Sequence, residues 1–443
     1  MILYKERSVQ ANVITKLMVI CIVICFAMFI LLLKNMLGNN GYATLLHVLA
    51  PFLSICLIAV MIFFYIKRAS FISLQLMYAF AFSLIIGVPG IYLLNFRNPV
   101  KGFEIVCLWA ILLNIVLYFC SCNNKTITQR KKVNKYFVVI FVIVGICQLI
   151  KTGLYFIFIV NSGVGHLAIY TEGDALVSQV PFVIRAISGM SLIMSLATFY
   201  YRASTGLRWF SFLLLASELL IGIRSKFFFS LICIIILSLY CNKELIKKRF
   251  LKISRLLYLI IGFVLFSLVS YYREGYDINF VKYMVIVLDS LSSTLAGLQD
   301  IFVLPDSQGW NRLDPHLIIT QLFPISGLGF LNSTQIYKEF SVIVLGDISS
   351  GIALSSSGIL ESTILDVDFN FFIYLSYLLL MLSLIQHFLN SPKVFLNFIA
   401  IAMLPGFLYS IRGELILPIA YIIKSSPIII VSNFLVSDKN ADE

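Results

Sequence analysis

Two short stretches place charged residues where apolar ones are expected. In "LLIGIRSKFFFSL" (219–231), Arg224 and Lys226 interrupt an apolar run; in "YSIRGELILP" (409–418), Arg412 and Glu414 interrupt another. An arginine at the centre of a bilayer helix costs about 2.5–3.5 kcal/mol on insertion scales, and less near the interface. Such a residue persists either because it ends a helix and snorkels to the headgroups or because it binds something. The guanidinium is a planar fork of donors that matches phosphate oxygens and stays charged at any working pH. Arg224 and Arg412 therefore read as candidate ligands of a phosphate or diphosphate, whereas Lys226 reads more simply as a helix-end charge. Arg273 in "YYREGYD" and Arg312 in "GWNRLDPH" are candidates for the same cluster, and Arg185 in "PFVIRAISG" is a weaker one.

A reaction that transfers a group from a diphosphate sets two tasks. A cation must stabilise the departing diphosphate, and a base must take the proton of the attacking hydroxyl. Candidates for the base are Glu361 in "SSSGILESTIL" and the pair Asp314 and His316 in "DPH", with Glu274, Asp277, Asp366, Asp368 and Glu414 behind them. Glu361 stands first because it enters an apolar run where an acid is less expected. The "DPH" spacing is common and fits a solvated loop equally well. No G-x-S-x-G, Walker or H-E-x-x-H pattern occurs. The four histidines are scattered and the C-x-C of Cys120 and Cys122 lacks further ligands, so neither a metal nor another cofactor is expected.

The elements that position these residues follow from composition. The chain has 443 residues, 60% hydrophobic and 12% charged, against about 45–50% and 25% in soluble domains. It reads as an all-α polytopic membrane protein. Apolar windows near 20 residues give twelve predicted helices: 17–33, 45–66, 71–94, 103–120, 137–160, 180–200, 206–223, 225–241, 256–271, 371–389, 395–411 and 415–436. The formal charge of +12 is read as loop placement, and nucleic-acid binding is not expected. With both termini cytoplasmic, twenty Lys and Arg fall in inside segments and six in the short outside loops, as the positive-inside rule requires. Arg224 and Arg412 then sit at the outer boundary, against that trend. The division predicted is a bundle over 1–271, a large periplasmic loop over 272–370, and a second bundle with a short tail over 371–443. Within the loop, Phe280, Met284, Val287, Leu291, Leu295 and Phe302 recur at helical spacing, as in an amphipathic helix on a membrane surface. The nine cysteines lie in or beside apolar runs and make no disulfide framework.

This pattern resembles the Wzy-type O-antigen or oligosaccharide repeat-unit polymerases. The matching residues are "GIRS" (Gly222, Arg224, Ser225), "SIRGEL" (Arg412, Gly413) and the Ser/Gly stretch with "LES" (Glu361), set in about twelve spans with one long late outer loop. The chain departs from the pattern at "DVDFNFF", where Asp366 and Asp368 stand in place of an "FG" pair. The resemblance implies an inner-membrane glycosyltransferase of lipopolysaccharide biosynthesis, acting on the periplasmic face without a metal or nucleotide sugar. It would move the growing glycan from undecaprenyl diphosphate onto the non-reducing end of a lipid-linked repeat unit. The outer arginines would hold the diphosphate. Implied partners are that undecaprenyl-diphosphate-linked oligosaccharide, membrane lipid, a flippase and a chain-length regulator.

Three other activities share parts of the pattern. An O-antigen ligase uses the same donor and a different acceptor. A transporter or flippase shows repeated halves and charges along a midplane path; no repeat is visible here, and Lys151 and Glu218 are the clearest midspan charges. A membrane O-acyltransferase needs a histidine in the membrane, for which His47, His166 and His387 are available.

Overall fold

A computed structural model describes residues 74–82, 112–113, 116, 131–162, 173–221, 224–240, 342, 357–366 and 369–438. The expected spans at 17–33, 45–66 and 256–271, and the amphipathic stripe of the long loop, lie outside the described residues. The chain divides into two compact units, residues 1–124 with 287–308 and residues 125–286 with 309–443. Of the first, helix α1 (Leu74–Phe82) is described; it buries Leu74, Tyr78, Ala81 and Phe82.

The second unit carries the candidate site. It begins with a short strand β1 (Lys131–Val133) and a 27-residue helix α2 (Lys135–Asn161). Asn134 starts α2, its side-chain oxygen accepting the Phe137 N–H at 3.1 Å, which satisfies one of the donors a helix start leaves open. Phe137, Phe141, Val144, Gln148, Thr152 and Ile159 are buried, at spacings of one helix face. The opposite face exposes Tyr136, Val139, Ile143, Ile146, Ile150 and Ile157. Apolar side chains on both faces are what a helix between protein and lipid requires.

After α3 (Gly173–Ser178), α4 (Phe182–Ser188) and α5 (Ser191–Tyr200) form one 19-residue apolar stretch, Phe182–Tyr200. Helix α5 stops in a Schellman closure: Ala203 N–H reaches Thr198 O at 2.9 Å and Arg202 N–H reaches Phe199 O at 3.4 Å. Arg202 therefore adopts φ 51°, a left-handed position that glycine usually fills. Helix α6 (Thr205–Ser217) runs into a 3-10 turn (Glu218–Ile221), and α7 (Arg224–Tyr240) follows. The late part holds α8 (Gly358–Leu365), α9 (Asn370–Leu389), α10 (Val394–Tyr409), α11 (Leu417–Lys424), α12 (Ser426–Leu435) and strand β2 (Val436–Asp438).

Three described helical stretches are long and apolar enough to cross a membrane, or four if α11 and α12 make one bent span. The chain is a helical membrane protein. The continuous helix expected over 415–436 is corrected: it breaks at Ser425 with a 61° bend. Pro427 supplies the reason. In a continuous helix its ring would clash with the carbonyl four residues earlier and leave a hydrogen bond unmade. Placed in the first turn of α12, it costs nothing.

Backbone contacts gather the connections of this unit into two groups. In the first, β1 pairs antiparallel with β2, Lys131 opposite Asp438 and Val133 opposite Val436. Lys131 Nζ donates to Pro392 O at 2.7 Å, and Asn134 Nδ2 donates to Phe434 O at 2.5 Å. Nearby connections are closed by Tyr200, whose hydroxyl donates to Leu389 O at 2.7 Å, and by Asn397 Nδ2, which donates to Phe388 O and Ser391 O. In the second group, the α10–α11 turn meets the start of α8 and the flank of α7, and there the candidate residues collect.

Candidate functional site

The turn after α10 is built from "SIRGEL" and held by "SGILES". Gly358 N–H donates to Ser410 O at 2.9 Å, while the Ser357 hydroxyl caps α8 by accepting Leu360 N–H at 3.1 Å. A Cβ on Gly358 would lie 2.9 Å from the Ser410 carbonyl oxygen and 2.5 Å from the Tyr374 ring. Only glycine lets the backbones approach this closely. Glu361, on the first turn of α8, is fully buried. Its carboxylate accepts the Leu415 N–H at 2.8 Å, and the Tyr377 hydroxyl donates to Leu415 O at 2.7 Å. Both polar backbone groups of Leu415 are thus satisfied by side chains from α8 and α9, as buried backbone requires.

This buried bond ties Glu361 to the turn that carries Arg412. Gly413 lets that turn fold back, because a Cβ there would meet the Tyr409 ring. Gly406 does the same for the next helix, whose Leu417–Pro418 backbone lies 2.7 Å from where its Cβ would sit.

Arg412 is partly exposed. Its N–H bonds back to Tyr409 O at 2.8 Å, and its guanidinium has no hydrogen-bond or ionic partner among the described residues. Two residues on, burial pushes the Glu414 carboxyl up to about 7, against the pull of Lys424. Below that pH the turn is net cationic.

Arg224 opens α7, and that helix reaches the same place: the rings of Phe229 and Tyr409 meet edge-on at 5.2 Å. The structure thus brings α7, the "SIRGEL" turn and the "LES" of α8 together within one unit. Asp366 is exposed and accepts the Phe369 N–H at 2.9 Å. Arg185, on α4, stacks its guanidinium 6.0 Å from the Phe182 ring, and its Nε is buried without a partner. Arg273, Arg312, Asp314 and His316 lie outside the described residues. Among the described residues no group of three His, Cys, Asp or Glu is placed to hold a metal.

The expectation for Lys226, a charge reaching for headgroups, is corrected. Its Nζ donates to Glu218 Oε1 at 2.8 Å. The same oxygen accepts Gln148 Nε2 at 2.7 Å and lies 3.5 Å from Lys151 Nζ. The pattern had one legible sign, since Gln148, Lys151 and Thr152 share a face of α2 at helical spacing. Nothing in the chain order connects that face with residues some 70 positions later.

Comparison with protein-family models, with curated proteins and with solved structures finds no match to this chain.

Proposed function

We propose that this chain is a membrane glycosyltransferase, an O-antigen or surface-polysaccharide polymerase acting at the periplasmic face of the inner membrane. The observation that carries the reading is the turn at 410–415: a backbone locked by Gly358 and Glu361 displays an arginine whose guanidinium has no partner among the described residues. An apolar setting with a preorganised cation suits the charge that develops on a departing diphosphate.

In the proposed reaction the anomeric carbon of the growing glycan leaves the diphosphate oxygen of undecaprenyl diphosphate. The bonding electron pair stays on the diphosphate, where Arg412, with Arg224 from α7, receives the charge. A hydroxyl oxygen at the non-reducing end of the lipid-linked repeat unit forms the new glycosidic bond, and its proton passes to a base. Asp314 and His316 are the candidates for that base. Glu361 holds the turn and is a positioning residue in this scheme.

The test is a strain lacking the gene, complemented with wild-type or Arg412→Ala protein at matched levels, with surface lipopolysaccharide separated on a gel. Loss of one preorganised donor of this kind lowers rate about 10²–10³-fold. The expected result is a ladder that collapses to a single repeat unit attached to the core. An unchanged ladder overturns the proposal. Loss of every repeat unit replaces it with a flippase or, where polymer accumulates on its lipid carrier, with a ligase.

A further inference from the structure

Glu218 is 4% exposed, and a single carboxylate oxygen there serves three groups from two other helices. Gln148 and Lys151 come from α2 and Lys226 from α7, at 2.7, 3.5 and 2.8 Å. Thr152 and Ser217 close the cluster, their hydroxyls 3.5 Å apart, and Ser191 donates to Gln148 Oε1 at 3.3 Å. Among the described residues every polar residue of this interior shell is engaged, yet the charges do not balance. One carboxylate faces two ammonium groups. Lys424 stands within electrostatic reach of both lysines, with Glu414 beside it.

A surplus cation in an apolar bundle is costly unless something anionic completes it. The surplus is also accessible. The side chains of Lys226 and Lys151 are 32% and 14% exposed, against 6% for Glu218. Each ammonium has three donors, so both retain donors beyond the one aimed at Glu218. Lys226 lies two residues into α7, the helix that Arg224 opens and that packs on Tyr409 at the end of α10, just before the Arg412 turn.

We propose that Lys151 and Lys226 form an anion site for a phosphate or diphosphate group, both oriented by one oxygen of Glu218. This rests on the preceding reading in one respect, that the phosphate is carried on a polyprenyl lipid. The site is assigned by charge and geometry and does not depend on glycan transfer. Glu218 acts through the lysines and is a positioning residue.

The experiment uses the full-length chain in nanodiscs of neutral phosphatidylcholine and measures binding calorimetrically. The probes are farnesyl diphosphate, inorganic pyrophosphate and farnesol. The variants are Lys226→Gln, Lys151→Gln, Glu218→Gln and Arg412→Gln, with Lys135→Gln as a control at the far end of α2. Lys226→Gln and Lys151→Gln are expected to weaken farnesyl diphosphate binding about tenfold each, the loss of one charge-assisted contact. Farnesol binding stays as in wild type. Glu218→Gln keeps an oxygen that orients the lysines and removes the competing charge, so affinity in folded protein holds or rises. Where Glu218→Gln does not fold, the two lysine variants decide the matter alone.

Wild-type affinity in both lysine variants overturns this inference and makes the cluster a structural ion pair. If only Arg412→Gln then weakens binding, the polymerase reading survives without it. Pyrophosphate bound as tightly as farnesyl diphosphate, still dependent on Lys226, keeps the anion site and removes the lipid as its source. No binding of any phosphate overturns both proposals.

Discussion

At the scale of single residues, the sequence assigns Arg412 to a diphosphate and Glu361 to proton transfer, and the structure ties both to one turn. Arg412 stands in the turn as a cation without a partner among the described residues, and its role at a diphosphate is our proposal. Glu361 stood first among the candidate bases because an acid in an apolar run is costly, and the structure accounts for that cost differently. The carboxylate is fully buried and spends an oxygen on Leu415 N–H. Two substitutions separate holding from proton transfer. Glu361→Gln keeps an oxygen acceptor and removes the base, so we expect the polysaccharide ladder to persist with little change in melting temperature. Glu361→Leu orphans the Leu415 N–H at a cost of about 1–3 kcal/mol, and both ladder and melting temperature should fall. A ladder lost in the glutamine variant at normal melting temperature returns the base role to Glu361. The arginines were legible in the sequence because they break a charge trend. The Glu218 cluster was not, because its members come from helices far apart in the chain and ion pairing hides a charge that composition counts as exposed.

At the scale of elements, the helices with clean apolar windows were the legible ones. The windows at 137–160, 371–389 and 395–411 correspond to α2, α9 and α10 within two residues at each end. Hydropathy failed where backbone chemistry overrules it: the window over 415–436 reads as one apolar span, and the 61° bend follows from Pro427, which hydropathy does not weigh. It is also blind to close approach. Gly358, Gly406 and Gly413 let α8, α10 and α11 meet, and their neighbours in space are far off in sequence. The clearest consequence is at Gly358. In Gly358→Ala the new methyl faces a backbone oxygen at 2.9 Å, which cannot move aside as a flexible side chain would. We expect a loss of about 1–3 kcal/mol from overpacking and a lower melting temperature in detergent. Transfer activity should fall further than that loss alone explains, because the Gly358–Ser410 bond sets the height of the Arg412 turn. Activity unchanged in the alanine variant would detach α8 from the site.

At the scale of the whole molecule, the charge tally and the contacts can be set against each other by one labelling experiment. The tally assigns Arg202, Arg208 and Lys393 to the cytoplasm and Arg224 and Arg412 to the outside. The contacts independently gather 200–202 and 388–397 through Tyr200, Tyr201 and Asn397, and 357–361 with 410–415. In a cysteine-free background, Asp366→Cys should react with a membrane-impermeant maleimide in intact spheroplasts. Gly206→Cys, which is exposed and meets nothing within 4 Å, should react only after lysis. The reverse pattern would turn the molecule over and leave the proposed site with no route to an outer-leaflet substrate.

The small strand pair that joins Lys131–Val133 to Val436–Asp438 also imposes a schedule on synthesis. The Asn134 side chain bonds a carbonyl 300 residues later in the chain. At roughly 5–20 residues per second, α2 leaves the ribosome about 15–60 s before its strand partner exists. Throughout that interval β1 presents unpaired backbone groups at the membrane face. Strand β2 is therefore the segment that latches α2, and a chain released before β2 is made would be recognisable to quality control by an open edge.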